Sequence, residues 1–533
     1  MVQQYLLFVI SLLFAVMLLV MAGERLRISY PIFLVLGGLL ISQVPGVPVI
    51  EINPDLVFLI FLPPILYSAA WYTSWHDFWK WKRPIGLLAF GLVIITSIVV
   101  AYVSSSLIPG FTLAAGFLLG GIISPPDAVA ATSVLRGMSI PKRAITILEG
   151  ESLINDASSL IVFRFALVAM VTGKFAMQDA VVDFFLMAFM GVGIGLAIAV
   201  LTFYLHRLLP TTPTIDITMT LLTPYVMYIV AEHYHFSGVL AVVSGGLFLS
   251  YRSHKFLNYK SRLAAWGVWE TLIFILNGTI FLLIGLNLPV VVRGLQDISV
   301  GQAVGYGLII SVLLIVIRVI WTFTMAHLPR WLFKSIREKE SSPGWKGPFV
   351  VSFAAMRGVV SLAAALSIPY LLPSHEPFPF RNLILFITFI IILVTLVGQG
   401  LALPWLIRLA RISEFEDVRP NHEQEAEIEI HLKKASLKLL GDKHAEHLSR
   451  NQLVANLKSQ LESDVRLTEQ RLNSLDCKYS EWETYRLVLT DVLREQREEL
   501  ARLRGGMVYS DEVLRKHADQ LDLDEARMHR GSD

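Results

Sequence analysis

Cysteine is nearly absent. The single Cys477 in 533 residues rules out an internal disulfide framework and fits a reducing compartment. A GxxxxGK[ST] phosphate loop is missing as well, so an ATP-driven machine has no support. Charge is scarce: 17% of residues are Asp, Glu, Lys or Arg, against about a quarter in a soluble chain. The scarcity is also uneven. Through Arg411 there are about 26 basic and 17 acidic residues, and the remaining stretch carries about 19 and 26. An acidic tail argues against nucleic acid and against a polybasic lipid-binding segment. Residues 1–411 therefore read as a polytopic membrane domain, and 412–533 as a soluble tail.

Long apolar runs fill the first part. Spanning-length segments fall at roughly 4–22, 28–45, 54–73, 84–108, 111–135, 144–173, 180–209, 215–231, 237–251, 262–288, 299–328, 348–372 and 380–407, about thirteen in all. The N-terminal run has no basic region before it, so it reads as a retained first span and not as a signal peptide. Arg25, Arg27, Lys80, Lys82, Arg83, Arg136, Lys142, Arg143, Arg207, Arg252, Lys255, Lys260 and Arg262 lie in odd-numbered loops, as do five more basic residues from Arg330 to Lys346. The even-numbered loops hold only Lys174, Arg293 and Arg381. This asymmetry places the N-terminus outside and the tail in the cytoplasm. In the tail, Leu453, Leu457, Leu461 and Val465 repeat at helical spacing, which predicts helices suited to pairing with a second copy. Its acidic start, SEFEDVRPNHEQEAEIEI, reads as a solvated linker.

A charged side chain at the centre of a spanning helix costs roughly 2.5–3.5 kcal/mol even on insertion scales, so each one there needs a task or a partner. The candidates are Asp127, Glu151, Asp156, Arg164, Arg318 and Arg357. In GGIISPPDAVAATS, Pro125 and Pro126 break the helix and put Asp127 beside freed backbone groups. Such a break is a place for a desolvated monovalent cation, with a proline kink packed around a hydrogen-bonded Asp127 as the plainer reading. In GESLINDASSL, Glu151 and Asn155 are four apart, as are Ser152 and Asp156. A carboxyl group taken out of water holds either a proton or a cation, and that exclusivity suits exchange. Arg357, in FAAMRGVVSL, needs a carboxylate partner, and Glu151 is the first choice.

Taken together and in order, LPPIL (62–66), PPDAVA, GESLIND, WETLIFILNGTIFLLIG (269–285) and FAAMRGVVSL resemble the monovalent cation:proton antiporter family, in particular bacterial NhaP-type sodium/proton exchangers. The resemblance covers essentially the whole membrane part. It implies an all-α fold of two inverted repeats, with two broken helices crossing at mid-membrane and with core and dimerisation subdomains. It further implies electroneutral exchange of Na+, or Li+, for H+ in pH and sodium homeostasis, by a homodimer in the bacterial inner membrane. No cofactor, nucleotide or nucleic acid is implied. Residue by residue, Asp156 is the exchanged acid, Asp127 the crossing-helix aspartate and Ser152 a hydroxyl ligand. Asn155 stands where electrogenic relatives have a second acid, and Glu151 with Arg357 forms a buried ion pair.

Two departures stand out. The acid that many members carry after LPPIL is replaced by Tyr67 and Ser68, so Ser68 joins Ser124 as an accessory oxygen candidate. The family's Thr-Asp-Pro at the break is rearranged to Pro126, Asp127 and Ala128, so a threonine ligand is not carried over, and Arg164, without an evident role, reads as a partner for another buried polar group. K+/H+ or mixed K+/Na+ exchange is the alternative within this class. A cation channel and a membrane-anchored sensor acting through the tail are alternatives outside it. AVGYG (303–307) lacks the context of a channel filter, and GVGIG (191–195) that of a dinucleotide site. His444 and His447 read as solvated surface residues and not as metal ligands.

Overall fold

The computed structural model describes residues 2–26, 28–44, 58–135, 138, 140–173, 177–295, 298–339, 342, 344–373, 375–410, 421–473, 479–505 and 511–529. The start of the acidic linker (412–420), Cys477 and the loop charges Arg27, Arg136 and Lys174 lie outside these residues. The chain divides into two compact units, Met1–Glu414 and Phe415–Asp533.

The first unit is built from helices, and polar side chains set many of their starts. Its helices are α1 (Val2–Leu26), α2 (Tyr30–Ile41), α3 (Leu62–Tyr72), α4 (Trp75–Lys80), α5 (Lys82–Leu107), α6 (Leu113–Ile123), α7 (Ala128–Leu135) and α8 (Lys142–Thr172). They continue with α9 (Met177–Leu208), α10 (Pro213–His233), α11 (Gly238–Phe256), α12 (Tyr259–Leu286), α13 (Val300–Leu332), α14 (Lys346–Phe353), α15 (Val359–Leu366) and α16 (Arg381–Leu409). Thr112, Thr212, Ser237, Asn258 and Ser299 each accept a hydrogen bond from a first-turn amide, which starts α6, α10, α11, α12 and α13. Gly173, at φ 69°, closes α8 in the left-handed conformation that suits a residue without Cβ.

Each of the thirteen sequence segments carries a helix or a broken helix pair. Among the described residues, eight helices are long and apolar enough to cross a membrane, or nine if α6 and α7, bent by 40°, count as one span. The count falls short of thirteen for a physical reason. Two segments are interrupted by breaks, α2 and α3 are short apolar helices, and α11 turns polar over its last turns with Arg252, His254 and Lys255. Large apolar side chains stand exposed on the outer faces, including Leu18, Phe185, Phe189, Leu201, Val312 and Ile320. Those faces match lipid and would be a liability in water.

Packing joins α6 to α5 and α8, and α13 to α16 and α14, while α11 gathers α9, α10 and α3. The α2–α12 seam brings two backbones into close contact. A Cβ on Gly285 would collide with the carbonyl oxygen of Val35, and one on Gly38 with that of Leu282. Small residues allow such backbone contact between membrane helices.

The second unit contains α17 (Asn421–Lys443), α18 (Gln452–Asn473), α19 (Tyr479–Gly505) and α20 (Asp511–His529). Lys433 bridges Glu429 and Asp464, and Lys434 bridges Glu469, so charge pairs join α17 to α18. Arg497 joins α19 to α20 through Asp522 and Glu525.

The seam yields a matched prediction. Gly285→Val should lower the unfolding midpoint of the detergent-solubilised protein, at an overpacking cost of about 1–3 kcal/mol. Gly267→Ala, on the same helix but with open space around it, should leave the midpoint unchanged or raise it slightly.

Candidate functional site

Two interrupted helices meet inside the membrane unit. α6 ends at Ile123 and α7 starts at Ala128, with Pro125 and Pro126 supplying no amide hydrogens between them. α14 ends at Phe353 and α15 starts at Val359. The breaks touch directly, since the Asp127 amide donates to the Met356 carbonyl at 2.7 Å. Each break frees backbone groups that hydrocarbon cannot satisfy, so each must find a partner in the protein.

Those partners are specific. Arg357 donates from Nε to the Ile123 carbonyl at 3.0 Å and from Nη1 to the Ala355 carbonyl at 2.8 Å. Its own amide donates to Thr395 Oγ1 at 3.0 Å. Asp127 Oδ1 accepts from the amides of Val129 at 2.8 Å and Ala130 at 3.4 Å, capping α7. Its Oδ2 lies against Gly358, where a Cβ would overlap the carboxylate. The Ala128 amide donates to Ser152 Oγ at 3.2 Å, and Asn155 Nδ2 donates to the Pro126 carbonyl at 3.2 Å. Positive charge thus faces carbonyl ends and negative charge faces amide ends, as the helix dipoles require.

Asp156 differs from all of these. It is buried on α8, and its carboxylate accepts no hydrogen bond among the described residues. It lines a cavity of about 230 Å³ together with Asp127, Ser152, Thr132, Glu149 and Asn277. The rest of the wall is mostly apolar, from α3, α15 and the proline break.

The structure corrects one pairing. Glu151 is bound in bidentate fashion to Arg318, at 2.6 Å from Nη1 and 2.8 Å from Nη2, and not to Arg357. Arg318 also donates to the Val351 carbonyl from Nε at 3.1 Å and Nη2 at 3.0 Å, which ties α8, α13 and α14 together. Five residues before Asp156, Glu151 points about 140° around the helix from it, away from the cavity. Arg357 does without a carboxylate because two carbonyls near helix C-termini already meet its guanidinium.

The remaining sequence candidates separate by position. Ser152 lines the cavity. Asn155 sits on the proline break, with Nδ2 engaged and Oδ1 buried without a partner. Ser124 donates to the Gly121 carbonyl at 3.3 Å, and neither it nor Ser68 is brought to the cavity wall. Arg164 has a partner after all, Glu232 of α10, whose Oε1 also accepts from the Gly238 amide at 3.1 Å. Sequence reasoning missed Glu149, Thr132 and Asn277. The signal for Glu149 was a seven-residue step back from Asp156, two full turns along the same stripe. Asn277 was visible as an amide within the mostly apolar stretch LIFILNGTIFLLIG (272–285).

The buried pair supports a measurement. Arg318→Met should strand the Glu151 carboxylate and cost about 3–5 kcal/mol of stability, and adding Glu151→Met should recover most of the loss. A double-mutant cycle on unfolding free energy in detergent checks this, with strong coupling expected for Glu151–Arg318.

This geometry has counterparts. Residues 9–409 match the profile described as sodium/hydrogen exchanger, transmembrane. The chain is 36% identical over 388 residues to a sodium, potassium, lithium and rubidium/H+ antiporter of Bacillus subtilis, covering 71% of this chain and 58% of that protein. It is 31% identical over 530 residues to an uncharacterized Na+/H+ exchanger of Mycobacterium tuberculosis, covering 98% and 95%. The sodium proton antiporter MjNhaP1 of Methanocaldococcus jannaschii superposes with a TM-score of 0.57 at 17% identity, covering 76% of this chain and 98% of that one, and so shares its fold. With crossed broken helices, an unpartnered buried aspartate beside them and a profile match across the membrane unit, the chain belongs to the sodium/hydrogen exchanger family.

Proposed function

We propose that the protein is a secondary antiporter that exchanges a monovalent cation, Na+ in the first place, for H+, with Asp156 as the exchanged site. One observation carries the reading. Asp156 is a buried carboxylate open to a cavity, while Glu151 is held by Arg318 and Arg357 by backbone carbonyls. A carboxylate in that setting is neutralised by a proton or by a cation, and loading one displaces the other. Ser152 Oγ and the Asp127 carboxylate line the same cavity and are candidate oxygens for a cation.

Asn155 favours one-for-one exchange. An amide cannot release a proton in this pH range, and this one donates to the Pro126 carbonyl. With one titrating group cycling, each positive charge that enters is matched by one that leaves. Loop charges support an N-terminus outside and a tail in the cytoplasm, and the reading places the protein in a bacterial inner membrane with the tail in a regulatory role. A homodimer completes the reading. The name of the Bacillus relative spans four alkali cations, which makes ion choice an experimental question for this chain.

In proteoliposomes carrying a pH gradient, Na+ should dissipate the gradient at a rate indifferent to clamping the membrane potential. Li+ and K+ tested in parallel rank the selectivity. Asp156→Asn should reduce dissipation to the level of empty vesicles, and retained exchange in that variant would sink the assignment.

A further inference from the structure

We infer that Glu149 is a cation-gathering residue at the mouth of the cavity, setting the apparent affinity for the transported ion without taking part in the exchange itself. The inference rests on the reading of Asp156 above. Glu149, Ser152 and Asp156 all line the cavity from one stripe of α8. Glu149 sits seven residues before Asp156, about 10 Å along the helix axis. It is exposed where Asp156 is buried, and it has no ion-pair or hydrogen-bond partner among the described residues. An unpaired carboxylate on a spanning helix, facing a cavity, calls for a function.

The surroundings supply one. Tyr72 and Thr73 line both this cavity and an adjoining hollow of about 680 Å³, whose wall includes Trp75, Trp79 and Lys80. The route outward therefore passes a strongly basic rim. Lys80 and Lys82 flank Trp81, Arg83 follows, and Lys142 and Arg143 begin α8, which packs on α4 and the start of α5. Several of these charges are held in place on indole rings. Lys82 lies 4.2 Å from the Trp79 ring centroid, and Arg143 lies 4.0 Å and Lys80 5.5 Å from that of Trp81.

A cation approaching Asp156 from this side meets repulsion first. Along the cavity wall the acids are Asp127, Glu149 and Asp156, with no lysine or arginine. Asp127 is engaged by the amides that start α7. Asp77 on α4 offsets part of the rim, and Glu149 on the cavity wall offsets it further and raises the local cation concentration, as a single charge does inside a low-dielectric cleft. Over about 10 Å, at an effective dielectric between that of protein and water, the effect on occupancy is about threefold to tenfold.

Exchange kinetics in membrane vesicles that expose the basic-loop face, with Na+ varied at low ionic strength, test this. Glu149→Gln should raise the apparent KM for Na+ by about threefold to tenfold with Vmax unchanged. The gap should shrink below about twofold when ~0.5 M choline chloride screens the site. Glu149→Asp should behave as wild type, and Asp183→Asn, which removes an exposed acid away from the cavity, should leave KM alone.

A charge-restoration arm covers poor folding of the glutamine variant. In a Cys477→Ser background, Glu149→Cys modified with an anionic methanethiosulfonate should recover a low KM, and modification with a cationic one should raise it further. An unchanged KM in Glu149→Gln, or a fall in Vmax with KM constant, would overturn the inference. Failure of the underlying reading shows separately, as exchange surviving Asp156→Asn.

Discussion

The contact between the two helix breaks is the constraint on which the site depends. Interrupting α6–α7 and α14–α15 leaves four helix ends inside the apolar unit, each with unpaired backbone groups. Two charged side chains meet this demand. Arg357 serves the carbonyl ends and Asp127 the amide ends, and the Asp127–Met356 backbone bond holds the breaks against each other. Removing either charge leaves two helix ends uncompensated. Both residues are therefore part of the frame before they are part of any ion site. Gly358 belongs to the same logic, because the carboxylate of Asp127 occupies the space its side chain would fill.

With the frame neutralised internally, α8 carries its own charges in separate roles. Glu151 turns away from the cavity into a fully buried, bidentate pair with Arg318, which also grips a carbonyl of α14. A desolvated pair of this kind is costly to break from one side and fixes helix positions firmly. Asp156, more than a third of a turn away, has no such partner and opens onto the cavity. The difference between a structural acid and a working acid is thus a matter of helix rotation, since both sit on one helix within two turns.

Much of this was legible in the sequence. The Pro125–Pro126 dipeptide announced a break, positions four apart announced a polar stripe, and the cost of intramembrane charge picked out Asp127, Glu151, Asp156, Arg318 and Arg357. The partner of Glu151 was not legible. A buried arginine was assigned a carboxylate, but helix breaks create carbonyl acceptors that a residue pattern does not display. Both arginines meet backbone carbonyls, and Arg318 is the one whose guanidinium also reaches the Glu151 carboxylate. Ser68 illustrates a second limit. Its place in the sequence beside LPPIL suggested the site, yet the rotation of α3 turns Leu62, Ile65, Leu66 and Ala69 to the cavity instead.

Arg164 and Glu232 show why strength matters as much as presence. Their pair links α8 to α10, and through the Gly238 amide to α11, with side chains 38% and 27% exposed. At that exposure solvent screens the attraction, and such pairs contribute about 0–1 kcal/mol. The Glu151–Arg318 pair, at 1% exposure on both sides, is of the other kind. The ion pair among α8, α13 and α14 is therefore buried and costly to break, whereas the one from α8 to α10 is half-exposed and weak, and α8 is held to α10 and α11 by the buried apolar packing of Leu153 and Ala157.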